Sequence, residues 1–227
     1  MRRGTYSIVA RDPETGELGA AVQSHWFSVG PIVPWVRADV GTVCTQAIAE
    51  PSYGPRLLDA LAGGAGAREA LGALLADDEQ ARFRQVAVVD AQGEVAVHTG
   101  ERCIAYAGDA AGAGFSAQAN MMANGAVWPA MARAFEAAAG PLSRRLMAAH
   151  HAAEAEGGDA RGRQSAAILV ARPGAEPWRH AIDLRVDDHP EPLAELDRLL
   201  DLSDAYELAT QGDDLTGEGR HDEAADR

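Results

Sequence analysis

GTYSIVARDPETGELGAAVQS, residues 4–24, reads as two β-strands joined by a turn, and the rest of the chain is organised around it. Thr5, Ser7 and Val9 alternate with Tyr6, Ile8 and Ala10 in a period-2 run rich in β-formers. Asp12-Pro13-Glu14-Thr15-Gly16 supplies turn chemistry before a second run from Leu18 to Ser24. A turn that closes symmetrically brings Thr5 beside Gln23 or Ser24 at the open end of the hairpin. A terminal Thr carries both a nucleophile and, in its own α-amine with an ordinary pKa of ~8, a base. Thr5 becomes terminal only if the Gly4–Thr5 bond is cut, and an unbranched Gly on the acyl side makes that cut sterically easy. The alternative is an ordinary strand whose Thr is there for its β-propensity.

Composition narrows the chemistry. At 227 residues and 47% hydrophobic content, the chain can bury a sizeable core as one domain with an appendage. No apolar run approaches the ~20 residues of a membrane span, and MRRGTYSIVARD lacks the apolar core of a signal peptide, so a cytoplasmic location is expected. All 20 basic residues are arginine, which excludes a P-loop lysine, a Schiff-base lysine and a Lys/Ser dyad. Residues 187–227 hold 14 acidic residues against 3 arginines, a net of -11 that leaves -3 for the body. Without a basic patch, neither nucleic acid nor an anionic membrane is an expected partner. Cys44 and Cys103 lie in strand-like runs and read as small core residues. The histidines show no HxxxH or HxH spacing, and His150 and His151, adjacent on a helix, face about 100° apart, so no metal site is expected. AGGAGAR at 62–68 follows no strand and is not a nucleotide loop; no cofactor is expected.

Along the chain, HWFSVGPIVPWV at 25–36 reads as an ordered loop over the open end of the hairpin, a candidate wall for a pocket around Thr5. GTVCTQAIA at 41–49 is a third strand, followed by helices near 55–62 and 66–76. RQVAVVDAQGEVAVHTG at 84–100 is a second hairpin, and CIAYAG and GFSAQAN are two more short strands. Residues 126–156 form two helices, with Trp128, Met131 and Phe135 on one core stripe and Leu142 and Leu146 on another. QSAAILVAR and WRHAIDLRV form a last strand pair. Strand pairs alternating with helix pairs pack most economically as two antiparallel sheets face to face with helices outside. Residues 1–188 are thus read as one domain. Residues 189–210 follow as an amphipathic helix whose Leu193, Leu196, Leu199, Leu200, Tyr206 and Leu208 dock on the body or on a second subunit, a homo-oligomer. Residues 211–227 form an acidic tail, disordered or loosely helical.

TYSIVARDPETGELGAAVQS, PSYGP at 51–55, RQVAVVDAQG at 84–93, HTG at 98–100, QAN at 118–120 and GGDARGRQSAAILV at 157–170 resemble a bacterial family of unassigned function grouped with the N-terminal nucleophile (Ntn) hydrolases. The resemblance spans roughly residues 5–187. It implies an α+β fold, the four-layer αββα sandwich of those enzymes, with Thr5 as nucleophile. Proteasome-like members keep a lysine near the nucleophile, and the strand expected to carry it here resembles GTVCTQA, which offers only Thr45 and Gln46. In those enzymes an Asp and a Ser before a late core strand hydrogen-bond around the terminal amine, and Asp159 and Ser165 resemble them, although their spacing differs.

Read from the residues, Asp159, Arg161 and Arg163 cluster in a loop released by Gly157-Gly158, where an Asp–Arg pair bracing the loop is the plain alternative. Backbone amides near Gly54 or the side chain of Asn120 are candidates for an oxyanion hole. Catalytic Thr5, Asp159 and Ser165, with Ser24, Thr45, Gln46, Asn120 and Arg161 around a small-molecule substrate, define an expected amidohydrolase acting on a small amide, lactam or amino-acid derivative. The alternative is a catalytically silent module of the same fold with residues 1–4 retained.

Overall fold

The structure, a computed structural model, describes residues 4–221. The hairpin at the start of the chain is β1 (Thr5–Arg11) and β2 (Leu18–Ser24). Its turn closes because Asp12 Oδ1 accepts the backbone N–H of Glu14 at 2.8 Å and of Thr15 at 3.2 Å. Gly16 then takes the left-handed conformation, φ 76°, that lets the chain re-enter the sheet. The register pairs Thr5 with Ser24 and Arg11 with Leu18.

The remaining strands are β3 (Pro34–Arg37), β4 (Gly41–Ala47), β5 (Arg84–Asp90), β6 (Val95–Thr99), β7 (Gly108–Gly112), β8 (Phe115–Asn120), β9 (Ser165–Ala171) and β10 (Ile182–Val186). They form two antiparallel sheets, ordered β10-β9-β2-β1-β8-β7 and β3-β4-β5-β6. The helices are α1 (Tyr53–Ala62), α2 (Ala67–Ala76), α3 (Val127–Ala137), α4 (Leu142–Ala155) and α5 (Pro192–Gly217).

Because successive strand residues point to opposite faces, β1 serves two cores. Tyr6, Ile8 and Ala10 pack with Met131 and Phe135 of α3 and Leu142 and Leu146 of α4. Val9, with Ala20, Val22 and Leu169, meets Cys44, Ala87 and Val89 of the smaller sheet. The far face of that sheet, Val43, Val86 and Val88, packs on Leu57, Leu58, Leu71 and Leu74 of α1 and α2. The sheets therefore face each other across one core, and a helix pair covers the outer side of each. Both faces of β1, β2 and β9 are buried, so their polar residues sit in the interior.

Three segments differ from the sequence reading. The end of the 25–36 stretch is strand β3, not loop; Pro34 opens an edge strand, a position where its missing N–H costs no ladder bond. Residues 103–107 are not a strand. Cys103 N–H bonds Gly100 O, while Ile104 O and Tyr106 O accept Met121 and Met122 N–H, so the segment lies irregularly at the end of β8, and β7 begins only at Gly108.

The terminal helix continues to Gly217, seven residues beyond the expected 210, with Thr216 Oγ1 bonding back to Gly212 O. Residues 222–227 of the expected tail lie outside the described residues. Leu193, Leu196 and Leu200 of α5 are buried against the body, whereas Tyr206 is 69% and Leu208 43% exposed, contrary to a stripe docked along its whole length.

Candidate active site

One end of the larger sheet gathers the polar residues. Ser165, Ser24, Thr5 and Asn120 lie in register across β9, β2, β1 and β8. The bridge between Met122 and Asp159 brings the 157–164 loop to the same edge. All five residues are buried.

The peptide before Thr5 is held from several sides. Ser24 Oγ donates to the carbonyl oxygen of Gly4 at 2.6 Å, and Arg161 Nη2 donates to the same oxygen at 2.8 Å. Thr5 Oγ1 lies 3.1 Å from Ser24 Oγ. Since the single proton of Ser24 is committed to Gly4, the Thr5 hydroxyl is the donor in that pair. Thr5 O in turn receives Gln46 Nε2 and Asn120 Nδ2, both at 3.4 Å.

Asp159 and Arg161 form the charged part of the site. The Asp159 side chain is completely enclosed; its Oδ2 lies 2.7 Å from Arg161 Nη2 and its Oδ1 3.0 Å from Arg161 Nε. Backbone N–H groups of Arg161 (2.9 Å) and His25 (3.1 Å) complete its partners. The plain Asp–Arg brace is therefore present, and it also touches the nucleophile segment, since a Cβ on Gly4 would lie 2.7 Å from Asp159 Oδ1. Glycine is required at position 4 for that close approach.

Behind Thr5 runs a buried amide network. Gln46 Nε2 donates to Gln85 Oε1 at 2.8 Å, Asn120 Nδ2 to the same oxygen at 3.1 Å, Ser7 Oγ to Gln46 Oε1 at 2.7 Å, and Gln118 Nε2 to Ser7 Oγ at 2.6 Å. Such a network fixes the facing strands in one arrangement, because any slip leaves buried amides unpaired. Asn120 Oδ1 is buried with no partner among the described residues. Gln46 and Asn120 are each followed by a left-handed residue, Ala47 at φ 68° and Met121 at φ 56°, where the chain leaves the sheet. Non-glycine residues held there mark local strain at the site.

Four sequence assignments change. Thr45 is one residue from Gln46 and so points to the opposite face, where its hydroxyl donates to Glu50 O at 3.3 Å. Ser165 is in register with Ser24, but its Oγ turns to the 26–29 loop, donating to Trp26 O and accepting Val29 N–H at 3.1 Å. Arg163, read as clustering with Asp159 and Arg161, pairs instead with Glu154 and Glu191. Gly54 packs on the Trp35 ring, where a Cβ would lie 2.2 Å from Cγ, and supplies no amide to Thr5. The network members Ser7, Gln85 and Gln118 went unread. Their signal is a polar residue at an inward position of an apolar strand, as in RQVAVVD, where Gln85 shares the parity of Ala87 and Val89.

Among the described residues no group of three or more His, Cys, Asp or Glu could hold a metal ion, and no helix is long and apolar enough to cross a membrane.

Fold and site together define a mixed α/β protein of antiparallel sheets with a buried hydroxyl, carboxylate and guanidinium cluster at one sheet end. Residues 5–196 match a family of unknown function, DUF1028, and the chain belongs to that family. The crystal structure of protein SPO2555 from Silicibacter pomeroyi, assigned to the same family, is similar to this chain. The two share 33% identity over 88% of this chain and 89% of that one, with a TM-score of 0.80. No curated protein matches the sequence.

Proposed function

We propose that this chain has the Ntn-hydrolase αββα architecture, frees Thr5 from the residues before it, and then acts as an amidohydrolase on a small amide, lactam or amino-acid derivative. One observation carries the reading: the Gly4 carbonyl oxygen sits between Ser24 Oγ and Arg161 Nη2, with the Thr5 hydroxyl beside them. Two donors, one of them cationic, are what an oxyanion developing on that carbonyl requires, and one such donor is worth ~10²–10³ in rate. In the cleavage step Thr5 Oγ1 bonds to the Gly4 carbonyl carbon and the Gly4–Thr5 C–N bond breaks. The hydroxyl proton ends on the freed amine. Water then hydrolyses the ester and releases the preceding residues as a carboxylic acid.

In the mature protein the α-amine of Thr5 takes the hydroxyl proton during attack on a substrate carbonyl. Arg161 provides the cation that proteasome-like enzymes take from lysine, while Asp159 holds Arg161 and Ser165 holds the loop over the site. Leu202, Tyr206 and Leu208, exposed on the outer half of α5, support self-association. A catalytically silent binding module is the second reading. It is favoured by the Thr5 hydroxyl having only Ser24, and no basic group, as its partner among the described residues while Gly4 remains attached.

Thr5→Ala tests the choice. Assayed against a panel of small amides and lactams, it is expected to lose all hydrolysis while its stability to urea stays within about 1 kcal/mol of the parent. Intact activity with a large stability loss would assign Thr5 to structure.

A further inference from the structure

Position 4 has no room for a side chain. An L-configured Cβ there would lie 2.7 Å from Asp159 Oδ1 and 2.8 Å from both Asp159 Cγ and Oδ2, closer than carbon atoms approach such groups. The obstacle is a buried carboxylate, not the free end of a mobile side chain. Arg161 holds it through Nη2 and Nε, and the backbone N–H groups of Arg161 and His25 hold it from two further directions. The backbone of Asp159 is fixed as well, bridged to Met122 and accepting Gly162 N–H at 2.9 Å. None of these partners belongs to residues 1–4, so the departure of those residues takes none of them away.

We propose that Asp159 restricts the acyl group of the substrate to one without a side chain on the carbon next to the carbonyl, a glycyl residue being accepted and an L-alanyl or larger L-aminoacyl residue refused. The proposal rests on the hydrolase reading above. The ester formed when Thr5 Oγ1 takes the Gly4 carbonyl is itself an acyl-enzyme with a glycyl acyl residue, and a substrate acyl group joined to Oγ1 has the same connectivity. Its carbonyl oxygen meets the donors that hold Gly4 O, Ser24 Oγ and Arg161 Nη2. The next carbon then takes the place of Gly4 Cα, where a methyl group runs into the pinned carboxylate. The selection is steric and confined to that carbon; it sets no limit on the length or charge of the rest of the acyl group.

The test incubates the full purified chain, its N-terminus established as Thr5 by mass, with the p-nitrophenyl esters of N-acetylglycine and N-acetyl-L-alanine. Acylation of Thr5 is followed by p-nitrophenolate release and peptide mapping, each rate being referred to the same ester's hydrolysis by hydroxide. In the acylation step the bond from Thr5 Oγ1 to the acyl carbon forms, the bond to p-nitrophenolate breaks, and the hydroxyl proton passes to the Thr5 amine; water then releases the N-acetylamino acid. Glycyl transfer is expected to exceed L-alanyl transfer on the order of tenfold or more. Asp159→Ser shortens the wall and keeps an oxygen for the Arg161 and His25 N–H groups, so the ratio should fall several-fold in that variant whatever its absolute rate. Equal transfer of the two acyl groups by the wild type, or an unmoved ratio in Asp159→Ser, overturns the proposal while leaving the hydrolase reading intact. Should Asp159→Ser fail to fold or to react, the wild-type ratio alone decides. Retention of residues 1–4, or no acylation of Thr5 by either ester, fails the hydrolase reading and the selection with it.

Discussion

Arg161→Met removes a guanidinium that faces both a buried carboxylate and the Gly4 carbonyl. The Asp159 side chain is 0% exposed and that of Arg161 22%. The substitution takes away Nη2 at 2.7 Å and Nε at 3.0 Å, leaving Asp159 with two backbone N–H donors at 2.9 and 3.1 Å. Breaking a buried pair by deleting one partner costs ~3–5 kcal/mol. The partial exposure of Arg161 and the surviving backbone donors put this case at the low end, about 3 kcal/mol, a large share of the ~5–15 kcal/mol that holds a domain together. The assay is urea unfolding of Arg161→Met, Asp159→Asn and the double variant, all in a Thr5→Ala background so that every species keeps the same N-terminus. The double variant should lose less than the sum of the singles by ~1–3 kcal/mol. With Thr5 restored, cleavage at Gly4–Thr5 should slow by ~10² in Arg161→Met. A stability change below about 0.5 kcal/mol, or additive losses, would refute the coupling.

Gly4→Ala places a methyl 2.7 Å from Asp159 Oδ1 and displaces the scissile carbonyl, so cleavage should slow by ~10–10² in a time course followed by mass. His150 is fully enclosed in the α4 core; burial, with His151 adding to it, pushes its pKa down from 6.5 to about 4. Because the unfolded chain takes up this proton first as pH falls below 6.5, the folded state should lose about 3 kcal/mol between pH 6.5 and about 4. His150→Leu should flatten that part of the stability profile measured by urea titration. Truncation after Asp188 removes Leu193, Leu196 and Leu200 from the core and should cause aggregation or a changed oligomeric state by light scattering; an unaltered, stable particle would contradict their docking.

Period-2 alternation and the Asp12–Gly16 turn made the first hairpin legible and narrowed the partner of Thr5 to Gln23 or Ser24; the register that selects Ser24 came from the folded sheet. The helix pairs were legible from their apolar stripes. Less legible was anything decided by which face of a strand meets which layer. Thr45 and Gln46 are neighbours of similar character, and only the facing of the two sheets puts Gln46 at Thr5 and Thr45 at Glu50. Ser165 lies at the start of the strand read from QSAAILVAR, but its hydroxyl follows the path of the 26–29 loop, and a loop path is not a local property of sequence. Pro34 reads as a breaker until its strand is known to be an edge. The union of Arg161, Asp159 and Gly4 joins residues 157 positions apart and depends on the closed sheet order.

The central claim is that Thr5 cuts the bond before it. The most direct measurement is the intact mass of the chain made in a purified translation system free of proteases, for wild type, Thr5→Ser and Thr5→Ala. The account predicts a mature chain starting at residue 5 in the first two and an uncut chain in Thr5→Ala. Retention of residues 1–4 in wild type, or loss of them in Thr5→Ala, would contradict it.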